Sequence, residues 1–208
     1  MSFVVNDVVR IVALGDSTTA GTPGFLSPLE APPSGRGDET SQYLWWLMQA
    51  HPEWQVMNRS VNGERSDQIR ARFTRDVIDA KASIVIIIAG VNDIYQGRSA
   101  GAVIEQLRAM YQAAAQSGVR VVAGSIVPFN TATPDQNARM REVNTWIHRH
   151  ARGDANVSFV DTRRAVARAD NPDVLADSPD ELHPSPHGYR RMGEAILPAL
   201  EHILEYPT

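Results

Sequence analysis

Ser83-Ile84-Val85-Ile86-Ile87-Ile88-Ala89-Gly90-Val91-Asn92-Asp93 is the stretch that decides the fold. From Ile84 to Ala89 every residue is apolar, and most are β-branched. A strand with one wet face alternates apolar and polar residues; an unbroken Val/Ile run reads as a strand covered on both faces, as in a parallel sheet between helix layers. The run is far too short to cross a bilayer. It ends at Gly90 and turns polar at Asn92-Asp93, where a buried strand gives way to a loop at the sheet edge.

Outward from this run the same pattern recurs at Val8–Leu14, Trp54–Asn58, Val119–Ile126 and Val157–Val160. Between the runs the apolar spacing becomes helical. Ile69, Phe73, Val77 and Ala80 follow Ser66, an N-cap candidate. Val103, Leu107, Met110, Tyr111 and Ala114 precede Gly118, and Thr133-Pro134 opens a helix whose inner face is Val143, Trp146, Ile147 and His150. Ser185-Pro186 opens the last one, with Met192, Ala195, Ile196, Ala199, Leu200 and Ile203 on its stripe and Pro198 expected to kink or shorten it. Five strand–helix units predict an α/β chain folded as one three-layer α/β/α sandwich with right-handed crossovers, a single domain over 1–208. Two irregular stretches stand out. Gly21–Asp38 holds four prolines and four glycines, and Asp170–Leu182 precedes the last helix. Loops this long are usually functional or disordered, and each is expected to line or cover a pocket.

The 208 residues suffice for a sizeable core, and 43% apolar with 21% charged residues is ordinary for a globular protein. A net charge of −4 gives no reason to expect nucleic acid as partner. The Arg163-Arg164 and Arg190-Arg191 pairs read as solvated helix surface. The absence of cysteine excludes disulfides and thiolate metal sites. Met1–Leu14 carries Asp7 and Arg10 within its apolar stretch and reads as a strand entering the sheet, not a signal peptide. The expectation is therefore a cytoplasmic protein without a membrane partner; the oligomeric state is open.

In an open parallel sheet, ligands bind outside the carboxyl ends of the strands. Three segments fall there: Gly15-Asp16-Ser17 after the first run, Asn62-Gly63-Glu64 after the second and Gly90-Val91-Asn92-Asp93 after the third. A fourth, Asp180-Glu181-Leu182-His183, precedes the last helix. A serine hydroxyl is a weak nucleophile and needs a base. Asp180 and His183 are three apart, so one turn brings carboxylate to imidazole, orienting it to take the Ser17 proton. The Ser17 N–H, the Gly63 N–H and the Asn92 amide are natural donors for the oxyanion that attack creates. Each segment alone has a plainer reading as turn, cap or satisfied histidine; it is their conjunction at the strand ends that points to acyl transfer. His187 and Asp177 are competitors for base and orienter, ranked lower because His187 falls inside the helix and Asp177 is farther from the imidazole.

At these residues the chain resembles the SGNH hydrolases, the GDSL esterase/lipase family. The match runs through Ala13-Leu14-Gly15-Asp16-Ser17-Thr18-Thr19-Ala20-Gly21, Asn58-Arg59-Ser60-Val61-Asn62-Gly63, Ala89-Gly90-Val91-Asn92-Asp93 and Asp180-Glu181-Leu182-His183-Pro184. The resemblance implies a flavodoxin-like five-stranded sheet in the order 2-1-3-4-5, no metal or organic cofactor, a Ser17–His183–Asp180 triad and the oxyanion donors Ser17, Gly63 and Asn92. Thr18 replaces the usual leucine or isoleucine, and Val91 stands where threonine is commoner; neither touches the chemistry. Gly21–Asp38 looks like an insertion relative to compact members.

The expected activity is hydrolysis of small, short-acyl carboxylic esters through an acyl-enzyme. His183 must be neutral to act as base, so activity is expected to fall below about pH 6.5, the ordinary imidazole value. Asp16, Ile94, Tyr95 and Phe129, with Pro128, are candidates for the substrate pocket. In Trp45-Trp46 one ring is expected in the core and the other at a surface or dimer contact. No long apolar groove for a fatty chain is visible, which disfavours lipase action. The runner-up is a carbohydrate O-acetylesterase using the same residues, with the Gly21–Asp38 loop holding the sugar; thioesterase or lysophospholipase action is a variant. A non-catalytic flavodoxin-like binding module is the rival from another class, but it leaves Asn92 and the Asp180–His183 pair unexplained and has neither a P-loop nor Gly-x-Gly-x-x-Gly.

Overall fold

A computed structural model describes residues 9–206. Val8 and most of the N-terminal stretch read above as a strand lie outside the described residues. Five strands form one parallel sheet: β1 (Arg10–Gly15), β4 (Gln55–Asn58), β5 (Ile84–Ile88), β6 (Arg120–Gly124) and β7 (Val157–Val160). Their order, β4-β1-β5-β6-β7, is 2-1-3-4-5 among the sheet strands, as the family resemblance implied. Successive residues of β1 enter different cores. Val12 and Leu14 pack with Val85, Ile87, Val121 and Ala123 beneath α3 (Ser66–Ala71), α5 (Ala100–Gln116) and α6 (Pro134–Gly153). Ile11 and Ala13 pack with Ile84, Ile86, Ile88 and Val122 beneath α2 (Tyr43–Ala50), α7 (Thr162–Val166) and α8 (Pro186–Glu205). The absence of alternation in the β5 run is thus accounted for: both of its faces are buried, each large side chain contributing roughly 1.5–3 kcal/mol.

The helix starts are mostly where the capping residues place them. Thr133 Oγ1 accepts the Gln136 N–H while Gln136 Oε1 accepts the Thr133 N–H, a reciprocal cap for α6. Ser185 Oγ accepts the Gly188 N–H at the head of α8. Ser66 is different: it is the first residue of α3, not its cap, because its N–H (2.7 Å) and hydroxyl (3.0 Å) both donate to the Asp93 carboxylate. Beyond Ala71 the predicted helix does not continue as α but widens into a π turn, Thr74–Ile78, while Phe73 and Val77 stay buried. Pro198 does not shorten α8, which runs on to Glu205 with the proline on its exposed side.

In α2 the core face is Tyr43, Leu44 and Leu47, and both tryptophans lie half-buried beside it, so neither Trp45 nor Trp46 is a core residue. The helix turns positions 43, 44 and 47 onto one stripe and leaves 45 and 46 at its rim. The Gly21–Asp38 stretch is ordered: Phe25–Leu26 (β2) pairs antiparallel with Arg36–Gly37 (β3), Ser27 Oγ donates to Ser60 O (2.6 Å), and Glu30 Oε1 accepts the Asn62 N–H (3.1 Å). These bonds tie it to the segment after β4. No helix among the described residues is long and apolar enough to cross a membrane.

Candidate active site

β1, β4 and β5 end side by side, and the chain after each turns toward one crevice at the point where the strand order reverses. After β1, Asp16 caps the one-turn helix α1 (Ser17–Ala20), its Oδ1 accepting the Thr18 N–H at 3.0 Å. Ser17 is the first residue of that helix, where backbone N–H groups lack intrahelical acceptors. Gly15 makes the tight approach possible, since a Cβ there would sit 2.6 Å from the Ile88 carbonyl oxygen and 2.3 Å from Thr19 Oγ1. Beyond β4, Gly63 has φ +74°, a backbone conformation that favours glycine, and turns the chain at the crevice. Beyond β5, Val91–Tyr95 forms a short helix, α4, carrying Asn92.

His183 closes the site from the loop before α8. Its Nδ1 lies 2.7 Å from Asp180 Oδ2 and its Nε2 lies 2.9 Å from Ser17 Oγ. Because the carboxylate can only accept, Nδ1 carries the proton and Nε2 is left to accept from the serine hydroxyl. Asp180 Oδ1 also accepts the N–H groups of Leu182 (3.0 Å) and His183 (2.8 Å), so one carboxylate fixes both the turn and the ring. Burial alone would push the Asp180 carboxyl up, but the bonds from the His183 ring and the two backbone N–H groups outweigh it and hold it below the usual aspartate value. The side chain therefore stays ionised against the imidazole.

Ser17, Gly63, Asn92 and His183 line a cavity of about 280 Å³. Its apolar wall is Val91, Tyr95, Phe129 and Leu182, and Thr22 and Asn62 form the polar rim, joined by a 2.6 Å bond from Thr22 Oγ1 to Asn62 Oδ1. Thr22 alone reaches the cavity from the Gly21–Asp38 stretch, and Leu182 and His183 alone from the region around the second long loop. Tyr95 is 58% exposed and packs edge-on against the buried Phe129 at 5.7 Å.

Three pocket candidates lie elsewhere, Pro128 among them, buried and outside the cavity lining. Ile94 is fully buried in the core and does not line the cavity: the residues after β5 are helical, so Ile94 points inward and Tyr95 outward. Asp16 is buried behind the serine, and one of its oxygens, Oδ2, has no hydrogen-bond partner. Burial, with the neighbouring Asp93 adding to it, raises its pKa to about 7. The competitors also stand apart. His187 is an exposed residue of α8 outside the cavity lining, and Asp177 serves the loop through its backbone oxygen, which accepts the Ser185 N–H.

Sequence reading missed the supports. The Asn92 amide donates to Glu64 O at 3.0 Å, and the buried Asp93 carboxylate anchors the head of α3. Asn130 holds the His183 loop twice: its N–H donates to Glu181 O (2.7 Å) and its Oδ1 accepts the Leu175 N–H (2.8 Å). The only local sign of Asp93 was its place beside Asn92; Asn130 carried none.

Residues 13–191 match the sequence model of the GDSL-like lipase/acylhydrolase family. The chain belongs to this family. It is a carboxylic-ester hydrolase, and the serine, glycine, asparagine and histidine segments all fall within the matched range. An acetylxylan esterase of Geobacillus stearothermophilus is 26% identical over 171 residues, 74% of this chain and 77% of that protein. The crystal structure of a member of the lipolytic G-D-S-L family from Veillonella parvula superposes with a TM-score of 0.75, covering 93% of this chain and 99% of that one at 20% identity. A crystal structure of acetylxylan esterase from Geobacillus stearothermophilus gives 0.71 over 91% and 93% at 20% identity. Likeness at these identities shows a shared fold; the family assignment rests on the matched sequence.

Proposed function

We propose that this GDSL hydrolase cleaves short-acyl esters with Ser17 as nucleophile, His183 as general base and acid, and Asp180 as the group that orients His183. The observation that carries this reading is the continuous chain from Asp180 Oδ2 to His183 Nδ1 (2.7 Å) and from His183 Nε2 to Ser17 Oγ (2.9 Å). Ser17 Oγ attacks the ester carbonyl carbon as Nε2 takes its proton. The carbonyl oxygen becomes an oxyanion, received by the Ser17 and Gly63 N–H groups and the Asn92 amide. Collapse breaks the C–O bond to the alcohol, which leaves with the proton from Nε2. Water, deprotonated by the same nitrogen, then hydrolyses the acyl-enzyme and frees Ser17.

The acyl size follows from the cavity. About 280 Å³ lies at the small end of ligand sites, and its apolar wall suits an acetyl or slightly longer chain rather than a fatty one. Initial rates on p-nitrophenyl esters from acetate to dodecanoate test this: turnover should peak at the short esters and vanish in Ser17→Ala. Turnover that persists in Ser17→Ala, or that rises toward dodecanoate, contradicts the reading.

One observation favours a second reading, removal of acetyl from a saccharide. Tyr95 stands exposed at the cavity mouth, where a sugar ring would stack on it, and the Geobacillus relative is an acetylxylan esterase. On this reading Tyr95→Ala raises KM for an acetylated saccharide by a clearly larger factor than for p-nitrophenyl acetate; equal effects on both substrates would rule it out.

A further inference from the structure

Arg72 lies outside the cavity lining and touches none of the groups just described as reacting, yet it is one of the few buried cations in the molecule, 8% exposed. Burying a guanidinium is expensive unless its donors are matched by acceptors. Here they are matched by groups from three separate segments. Nη2 donates to Gly15 O at 3.0 Å, Nε donates to Glu64 Oε2 at 2.7 Å, and Nη1 donates to Arg59 O and to Asp76 Oδ2. Asp76 stands one helical turn on from Arg72, its N–H donating to Arg72 O at 3.0 Å, and Arg75 also donates to its carboxylate at 2.8 and 2.9 Å.

The acceptors of Arg72 share one property. Gly15 O belongs to the peptide two residues before Ser17. Arg59 O lies at the start of the segment that ends in Gly63. Glu64 follows Gly63, and its own backbone oxygen accepts the Asn92 amide at 3.0 Å. The first two segments are also joined directly, the Val61 N–H donating to Gly15 O at 3.3 Å. A planar guanidinium with a fixed fork sets the spacing between such acceptors in a way that a lysine ammonium, a single point charge, does not.

We propose that Arg72 is the positioning residue of the oxyanion site, its guanidinium locking the backbone at Gly15, Arg59 and Glu64 so that the Ser17, Gly63 and Asn92 donors converge. This rests on the proposed role of those three donors. Arg72 acts on the transition state through them, so its loss lowers kcat and leaves KM in place. A residue that merely holds the fold together would instead lower the melting temperature and leave the turnover of the folded protein unaltered.

The test is a set of double-mutant cycles on p-nitrophenyl acetate hydrolysis, with melting temperatures measured alongside. Asn92→Ala should lower kcat by about 10²–10³-fold, the usual cost of one oxyanion donor. Arg72→Lys and Glu64→Ala should each lower kcat by about tenfold or more with KM within about twofold, and because part of that effect runs through Asn92, the combined loss with Asn92→Ala should fall clearly short of the product of the two. Glu64→Gln keeps an acceptor for Nε and should recover most of the rate lost in Glu64→Ala. If Arg72→Lys does not fold, the Glu64 variants decide alone, since that side chain is partly exposed. Folded Arg72→Lys and Glu64→Ala with wild-type kcat, or losses that multiply fully with that of Asn92→Ala, overturn the proposal. An unaltered kcat in Asn92→Ala itself overturns the oxyanion assignment and this inference with it, and that outcome is recognised in the single variant, before any cycle is closed.

Discussion

The two halves of the candidate site are built differently. Ser17, Gly63 and Asn92 stand beyond the carboxyl ends of parallel strands, the buried β1 and β5 and the edge strand β4, and the backbone around them is braced by the buried Arg72 and Asp93. Asp180 and His183 stand on a mostly exposed segment whose only β-bridge among the described residues joins Ala167 to Leu175, and local bonds shape it: the Asp180 carboxylate caps its own turn, and Asn130 pins the loop at two points. Charge stabilisation requires donors that do not move during reaction, which a sheet edge supplies. Proton shuttling requires one imidazole at hydrogen-bond distance from its partners, which a short loop supplies as long as its turn holds.

Several changes would break or sharpen this contrast. The largest effect is expected where the halves meet: Ser17→Ala and His183→Ala should each lower kcat by at least about 10⁴-fold, and the double variant should be hardly worse, because the two act as one unit. Full additivity in that cycle would mean that they do not work together. Asp180→Asn keeps the shape of the turn but removes the charge that sets the ring's tautomer, and a loss of about 10³–10⁴-fold in kcat is expected with KM little altered. A loss below tenfold would mean that the loop geometry alone orients the ring.

On the sheet side, Asp16 gives a pH signature. Its carboxyl is raised from 3.8 to about 7 in the folded protein, so between those values the folded state holds a proton that the unfolded state has released. Its contribution to stability therefore falls as pH rises through that window, by an amount on the order of 4 kcal/mol at full ionisation. Asp16→Asn removes the dependence, so the melting temperature of the variant relative to wild type should climb between about pH 4 and pH 8. A difference that stays flat over that range would count against the buried, unpartnered carboxyl. Asp180 runs the other way: held low, its contribution is lost only as pH drops into the acid range. The smallest effect is expected from Asn130→Ala, which removes one loop bond worth about 1 kcal/mol and should cost roughly 2–4 °C in melting temperature. Hydrogen exchange should then quicken around Leu175 and Glu181 and stay slow in β5; equal quickening in both would erase the distinction between the halves.

The contrast also separates what could be read from the chain and what could not. Strand β5 announced itself because burial on both faces leaves an unbroken apolar run, and the start of α6 was written out in Thr133-Pro134, although the reciprocal bond with Gln136 emerged only in the fold. Ser17, Asp180 and His183 were singled out by residue type and by the motif text around them, and the fold brings the three within hydrogen-bond distance. Ile94 was misplaced because its neighbourhood was read as loop: in the helix Val91–Tyr95, adjacent residues point about 100° apart, one to the core and one to the cavity. The tandem tryptophans failed for a related reason, since apolar character suggested a core position and the helix phase, with Tyr43, Leu44 and Leu47 inward, decided otherwise.

By itself, then, the sequence determined the strand runs, most helix starts and the side chains capable of acyl transfer, because each depends on a residue's own chemistry or on neighbours within a turn. Tertiary structure alone decided that Arg72 would meet the carbonyls of Gly15 and Arg59, that Asn130 would hold a loop 45 residues away, and that Ser66 would satisfy Asp93 instead of capping its helix. Those pairings join distant segments through backbone oxygens and N–H groups that every residue carries, so no residue type marks them in advance; only the folded sheet brings the partners to within hydrogen-bond distance.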